Sequence, residues 1–157
     1  MVTTMRSFPD LCVADVVASA DFYRALLDLD VLVNHGWYAE LGREGDTLLA
    51  RVEVGHETVP DPSLRTARGV LVSFEVSDAS KWAQRAEELR VEVRLRLCDE
   101  LGQRHVMVVD PDGVLVDIIE RIPLTRADLA RLARYRREAA ARGSSNGNDP
   151  PVGVSGG

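Results

Sequence analysis

The sequence has few cysteines, few aromatic residues and no long apolar run. Cys12 and Cys98 are the two cysteines in 157 residues, and their number and spacing fit neither a disulfide framework nor a CxxC site. No stretch approaches the roughly 20 apolar residues of a membrane helix. Residues 1–6 are not followed by the apolar segment of a secretion signal. We therefore expect a cytoplasmic protein with free thiols, long enough to bury a core without disulfides or structural metal.

Positive charge is also scarce outside one segment. The net charge is −6, yet residues 126–142 carry six arginines against Asp128 and Glu138, a local balance of +4. The remaining residues therefore sum to −10, which argues against a nucleic-acid-binding face on most of the surface, because phosphate contacts need clustered cations. The basic segment could bind an acidic partner, a nucleic acid or a second subunit. We favour the second subunit and expect a homodimer.

Two halves of the chain repeat one pattern. Each begins with a short strand that ends in an aspartate able to cap a helix, Asp15 in the first half and Asp78 in the second. The first helix has an apolar stripe of Phe22, Leu26 and Leu29, and the second, with Ser80 as a possible cap, a stripe of Trp82, Ala86 and Leu89. Three β-rich stretches follow each helix. The order βαβββ, occurring twice, predicts an α+β protein with two modules.

Turn and composition signals set the limits of these units. We predict a first module over residues 7–54, a linker over 55–69 that is rich in proline and glycine, and a second module over 70–122. Thr125 can cap a helix within residues 124–142, where Gly143 should end it. Residues 143–157 have too little hydrophobicity to offset their ordering entropy, so we expect a disordered tail.

The repeat, the segments Val13–Asp15 and Ala20–Tyr23, and above all the stretch from Gly102 to Ile119 with its Asp-Pro-Asp-Gly turn resemble the vicinal oxygen chelate superfamily. This is the group of glyoxalases, bleomycin-resistance proteins and extradiol dioxygenases. The resemblance implies a cup-shaped, half-open barrel made of two βαβββ modules around a ligand cavity, here with an added C-terminal helix. It also implies that dimer contacts complete the cavity.

Enzymes of that superfamily hold a divalent metal with residues on the first and last strands of each module. Carried over to this sequence, those positions are Phe8, about Ala50, Leu71 and Asp117, of which Asp117 alone can coordinate a cation. Because protein metal sites normally supply at least three N, O or S ligands, we expect no metal and no cofactor. A relocated site made of His35, His56 and His105 is a less favoured alternative.

Strand alternation places Leu11 and Val13 under the helix and the residues between them toward the cavity. Applied to all strands, with the aromatic and histidine candidates added, this predicts a ligand site comprising Phe8, Cys12, Trp37, Leu71, Glu75, His105 and Asp117.

Several of these residues have an alternative interpretation. Asp117 could accept a proton or bind a cationic ligand, or simply pair with Arg104 or with donors of a neighbouring strand. Glu75 is open to the same choice, with Arg94 and Arg96 as alternative partners. Trp37 could contact a planar ligand, or it could belong to the core or to a dimer contact. Since it adjoins Tyr38 on a predicted strand, only one of the two should face the cavity. Cys12 would be a nucleophile only if His105 met it in space.

We therefore predict a protein that binds a small, largely apolar molecule between its modules without a metal, with cationic natural products among the candidate ligands. The alternative is an enzyme of the same fold, a lyase, isomerase or dioxygenase, that uses atypical metal ligands or metal-free acid–base catalysis by Asp117, Glu75 or His105.

Overall fold

The computed structural model describes residues 6–61 and 63–145, which form eight strands and three helices. The first half contains β1 (Asp10–Val13), α1 (Val16–Leu27), β2 (Asp30–Asn34), β3 (Tyr38–Arg43) and β4 (Asp46–Glu53). The second half contains β5 (Leu71–Glu75), α2 (Ala79–Glu88), β6 (Val93–Glu100), β7 (Gln103–Val109) and β8 (Leu115–Arg121), and α3 (Arg126–Ser145) follows.

Each half forms its own four-stranded mixed sheet. The strand orders are β1-β4-β3-β2 and β5-β8-β7-β6, so the two modules have the same topology. In both, the first strand pairs in parallel with the last, and the other neighbours are antiparallel. The predicted α+β class with two βαβββ modules and a C-terminal helix is confirmed.

Both module helices begin where an aspartate caps them. The side chain of Asp15 accepts a hydrogen bond from the backbone N–H of Ala18, and that of Asp78 accepts from the N–H groups of Ser80 and Lys81. Each cap satisfies donors that have no partner within the first turn of a helix. The expectation that Ser80 caps α2 is wrong, because the helix begins at Ala79 with Asp78 as its cap, so Ser80 lies inside the helix.

The two modules share one hydrophobic core. Leu11 and Val13 are buried under α1, as strand alternation predicts, and Val116 and Ile118 of β8 join the same cluster. Trp82 of α2 packs against this core, which agrees with its place on the predicted helix stripe.

The Asp-Pro-Asp-Gly turn connects the modules. One carboxylate oxygen of Asp110 accepts hydrogen bonds from the backbone N–H groups of Asp112 and Val114, which closes the turn. The Asp112 carboxylate accepts another from the N–H of Ala14, at the end of β1. A turn of the second module is therefore anchored to the first strand of the first.

Helix α3 is attached to the body near its beginning. The Asp128 carboxylate accepts a hydrogen bond from the backbone N–H of Leu101, and Arg131 pairs with Glu100 at 2.6 Å. Gly143 does not end the helix, which continues to Ser145. The rest of the predicted tail, residues 146–157, lies outside the described residues. No helix in the described ranges has the length and hydropathy needed to cross a bilayer.

Candidate functional site

Each sheet has one face toward the core and one face away from it, which we call its open face. Strand pairing defines the open face of the first sheet, where Asp10 lies beside Ala50 and Cys12 beside Val52, with Tyr38 next to Val52. On the second sheet the corresponding side chains are Ser73 beside Asp117, Glu75 beside Ile119, and His105 beside Ile119 and Cys98.

An aromatic pocket of about 440 Å³ lies on the open face of the first sheet. Three strands and the linker contribute its walls, which consist of Asp10, His35, Trp37, Tyr38, Val52, Thr58 and Val59. It is therefore an apolar and aromatic pocket with a carboxylate at its wall.

A tight turn places Trp37 in this pocket. The side chain of Asn34 accepts a hydrogen bond from the N–H of Gly36, whose φ of 83° suits a residue without a Cβ. The N–H of His35 donates to the carbonyl of Tyr38. Trp37 thus precedes β3 instead of belonging to it, so both Trp37 and Tyr38 line the pocket. The prediction that only one of them could do so is wrong.

The linker supplies an aromatic partner for Trp37. The ring of His56 stacks face to face on Trp37, with centroids 3.9 Å apart and planes 2° from parallel, and the ring of His35 lies 6.2 Å from Trp37. Two of the three histidines considered as a relocated metal site, His35 and His56, therefore both lie against the ring of Trp37. His105 does not join them, since it lies in the second module.

Two carboxylates, those of Asp10 and Glu40, lie at or beside the aromatic pocket. Partial burial raises the pKa of Asp10, an effect that Arg51 opposes and Glu40 reinforces. A hydrogen bond of 2.5 Å from the Thr47 hydroxyl lowers the pKa of Glu40, which therefore carries its charge at neutral pH. The Tyr38 hydroxyl also donates to Glu40, at 3.0 Å, and burial together with that hydrogen bond raises the pKa of Tyr38 to about 12.

On the second sheet, His105 and Asp117 form a buried pair. Nδ1 of His105 lies 3.0 Å from Oδ1 of Asp117, and the residues are 5% and 4% exposed. Nε2 of His105 is buried and has no hydrogen-bond partner within the described ranges. The partner of Asp117 is therefore on the neighbouring strand β7, one of the two alternatives considered. Arg104, the other alternative, forms two hydrogen bonds with Asp99, of 2.8 and 2.9 Å.

The other predicted residues are spread over the open faces. Leu71 and Glu75 line a groove of about 410 Å³ between β5 and the Pro9 and Leu48 side chains of the first module. Glu75 pairs at 2.9 Å with Arg121, so the suggestion of Arg94 or Arg96 was wrong.

The remaining two predicted residues lie near β1. Phe8 is half-buried, with the Arg6 guanidinium 5.4 Å from its ring centroid. Cys12 is half-buried, and burial together with the charge of Asp10 raises the pKa of its thiol. It lies on β1 of the first sheet and His105 on β7 of the second, and neither ring nitrogen of His105 is hydrogen-bonded to the Cys12 thiol.

Comparison with known proteins identifies the family. The family described as the glyoxalase/bleomycin resistance protein/dioxygenase superfamily matches residues 4–118. The chain belongs to this superfamily. No curated protein matches the chain.

Solved structures of the superfamily have the same fold. A protein of unknown function from Agrobacterium tumefaciens strain C58 is 28% identical, with a TM-score of 0.63, over 77% of this chain and 98% of that one. A lactoylglutathione lyase from Agrobacterium tumefaciens is 20% identical, with a TM-score of 0.59, over 74% and 94%. A glyoxalase/bleomycin resistance protein/dioxygenase from Nocardioides is 23% identical, with a TM-score of 0.58, over 79% and 89%.

The metal that the superfamily implies does not fit the donors present. Asp10 pairs with Ala50, and Ser73 pairs with Asp117, which places Ala50 and Asp117 at equivalent positions of the two last strands. Of these two, Asp117 alone has donor atoms, and one of its oxygens pairs with Nδ1 of His105. Within residues 6–61 and 63–145, no group of three or more His, Cys, Asp and Glu side chains is arranged to hold a metal ion.

Proposed function

We propose that this superfamily member binds a small, largely apolar cation in the aromatic pocket without using a metal. The observation that carries the proposal is the combination of the Trp37 and Tyr38 rings with the carboxylate of Asp10 in one pocket of about 440 Å³. A volume of this order suits a drug-sized ligand. Aromatic faces attract organic cations through their quadrupole, most strongly where water is displaced.

The charges around the pocket support a cationic ligand. Partial burial raises the pKa of Asp10, even though the nearby guanidinium of Arg51 opposes this effect. A ligand cation beside Asp10 would favour the ionised carboxylate and so gain binding energy there. Glu40, hydrogen-bonded to Tyr38 and Thr47, carries a second negative charge on the same open face, which Arg6 partly offsets from 3.9 Å.

Fluorescence tests this proposal directly, since the chain has two tryptophans, Trp37 and Trp82. The probe is the 4-hydroxyphenyltrimethylammonium ion, excited above its own absorption. We expect saturable quenching that survives Trp82→Phe and is lost in Trp37→Phe, with affinity reduced about fivefold or more in Trp37→Leu by calorimetry. Quenching that is lost in Trp82→Phe and retained in Trp37→Phe would place the ligand elsewhere.

We further propose that α3 takes part in a homodimer and that the protein is cytoplasmic. Leu129 of α3 is 54% exposed, and a second copy that covered it would remove this apolar side chain from water. The helix segment carries +4 and the remaining residues −10, which is favourable for association between copies. The free thiols of Cys12 and Cys98 suit a reducing compartment.

The alternative of a metal-free enzyme is favoured by one observation, the buried His105–Asp117 pair. A carboxylate that holds one imidazole nitrogen fixes the ring and its tautomer, and it leaves the other nitrogen for proton transfer.

A further inference from the structure

Cys98 lies opposite His105 across the second sheet, and one imidazole nitrogen of His105 has no hydrogen-bond partner among the described residues. Cys98 on β6 is the register partner of His105 on β7. Directly opposed residues of an antiparallel pair have their Cβ atoms about 4.5–5.5 Å apart and on the same face. The thiol of Cys98 and the imidazole of His105 therefore share the open face of the second sheet.

The hydrogen bond to Asp117 involves Nδ1 of His105 and leaves Nε2 as the remaining ring nitrogen. Asp117 lies on β8, on one side of β7, and Cys98 lies on β6, on the other side. A buried nitrogen without a partner is unfavourable, which a merely structural histidine would avoid. The register of β6 shifts between Leu95 and Cys98, and such bulges re-aim side chains and occur next to active sites.

We propose that Cys98, His105 and Asp117 form a nucleophilic thiol site that captures a soft carbon electrophile, such as an α,β-unsaturated carbonyl compound. Nε2 of His105 accepts the thiol proton, while Asp117 holds the ring and stabilises the imidazolium. The Cys98 sulfur forms a bond to the β-carbon, and the π electrons of the C=C bond move to the enolate. The proton on Nε2 then passes to the α-carbon, so the adduct contains all atoms of both reactants.

This site is separate from the aromatic pocket, because it lies on the other sheet. Cys98 is half-buried, as is Cys12. The two thiols differ in their neighbours. Burial and the charge of Asp10 raise the pKa of the Cys12 thiol, whereas Cys98 lies opposite His105. Cys12 is thus an internal control on the same molecule, and the proposal does not depend on cation binding.

The test measures acrylamide addition to each thiol by peptide mass spectrometry at pH 7, in the folded protein and in the urea-unfolded chain. Partial burial alone slows a thiol relative to the unfolded chain. We expect Cys98 to react at least tenfold faster in the folded protein than when unfolded, and Cys12 to react more slowly when folded. His105→Gln should abolish the acceleration, and Arg104→Gln, which alters the neighbouring residue outside the pair, should leave it.

Asp117→Asn provides a second variant in case His105→Gln does not fold, and it should reduce the acceleration of Cys98 while leaving Cys12 unchanged. Two results would overturn the proposal. One is a Cys98 rate in the folded wild type no greater than in the unfolded chain. The other is an accelerated rate that persists in whichever of the two variants folds, since exposure and not His105 would then account for it.

Discussion

The guanidinium of Arg51 and the carboxylate of Asp110 face each other across the two modules, 3.7 Å apart, with both side chains completely buried. The hydroxyl of Tyr23 donates to the same Asp110 oxygen at 3.0 Å, and Arg51 donates to Ser19 at 2.9 Å. The guanidinium carbon lies 4.3 Å from the centroid of the Tyr23 ring. A polar cluster therefore fixes the β4 strand of one module to the turn of the other.

Arg51→Met should destabilise the fold by about 3–5 kcal/mol, because it leaves the Asp110 charge buried without its cation. Urea denaturation followed by circular dichroism measures this loss. Arg94→Met is the matched control, since Arg94 pairs with Glu92 at the surface and its loss should change stability by no more than about 0.5 kcal/mol. A loss below about 1 kcal/mol for Arg51→Met would show that the buried pair does not hold the modules together.

Cation binding should weaken in acid. A bound cation favours the ionised form of Asp10, so it lowers the pKa of that carboxyl from its raised value in the free protein. By linkage, affinity is full above the raised pKa of Asp10 and falls as the pH drops through it. Calorimetric titrations at several pH values check this, with Asp10→Asn as the variant that should bind weakly and show a smaller pH dependence. Equal affinity at all pH values in the wild type would exclude Asp10 from the site.

Divalent metals should not stabilise the protein. A ligand that binds only the folded state raises Tm, and a single carboxylate already held by His105 offers too little coordination for that. Thermal unfolding with Mn²⁺, Fe²⁺, Ni²⁺, Zn²⁺ and Mg²⁺ should give unchanged Tm values. A saturable rise with one ion that disappears in Asp117→Asn would instead support a metal enzyme.

Leu129→Asp should weaken the homodimer, since it puts a charge on the exposed apolar face of α3. Sedimentation velocity over a range of concentrations measures the change. Leu64→Asp is the control, because Leu64 is similarly exposed but lies in the linker and not on α3. The Leu64→Asp variant should therefore dimerise as the wild type does. If both variants sediment as the wild type does, α3 is not part of an interface between copies.

The sequence predicts the fold well because its two modules repeat local signals, namely capping aspartates, helix stripes and alternating strands. Strand alternation also separates Leu11 and Val13 from the open face. These signals depend on neighbours in the chain, so they are visible without coordinates.

The site is harder to predict because its members come from distant segments. His56 reaches Trp37 through the linker, whose conformation has no periodic signal. Arg51 lies in a β-rich stretch, and nothing local shows that its partner is Asp110 of the other module. Treating Trp37 as a strand residue leads to the prediction that only one of Trp37 and Tyr38 faces the cavity, whereas the pair Asn34 and Gly36 is a turn signal that separates Trp37 from β3.

The central claim, a metal-free pocket for an apolar cation, is tested most directly by calorimetry on EDTA-treated protein. The two ligands are the 4-hydroxyphenyltrimethylammonium ion and its neutral isostere 4-tert-butylphenol, which differ in charge but hardly in shape. We predict saturable binding of the cation, at least about tenfold tighter than that of the neutral compound, and loss of this preference in Asp10→Asn. Equal affinity for the two compounds, or cation binding that appears only when a divalent metal is restored, would contradict the account.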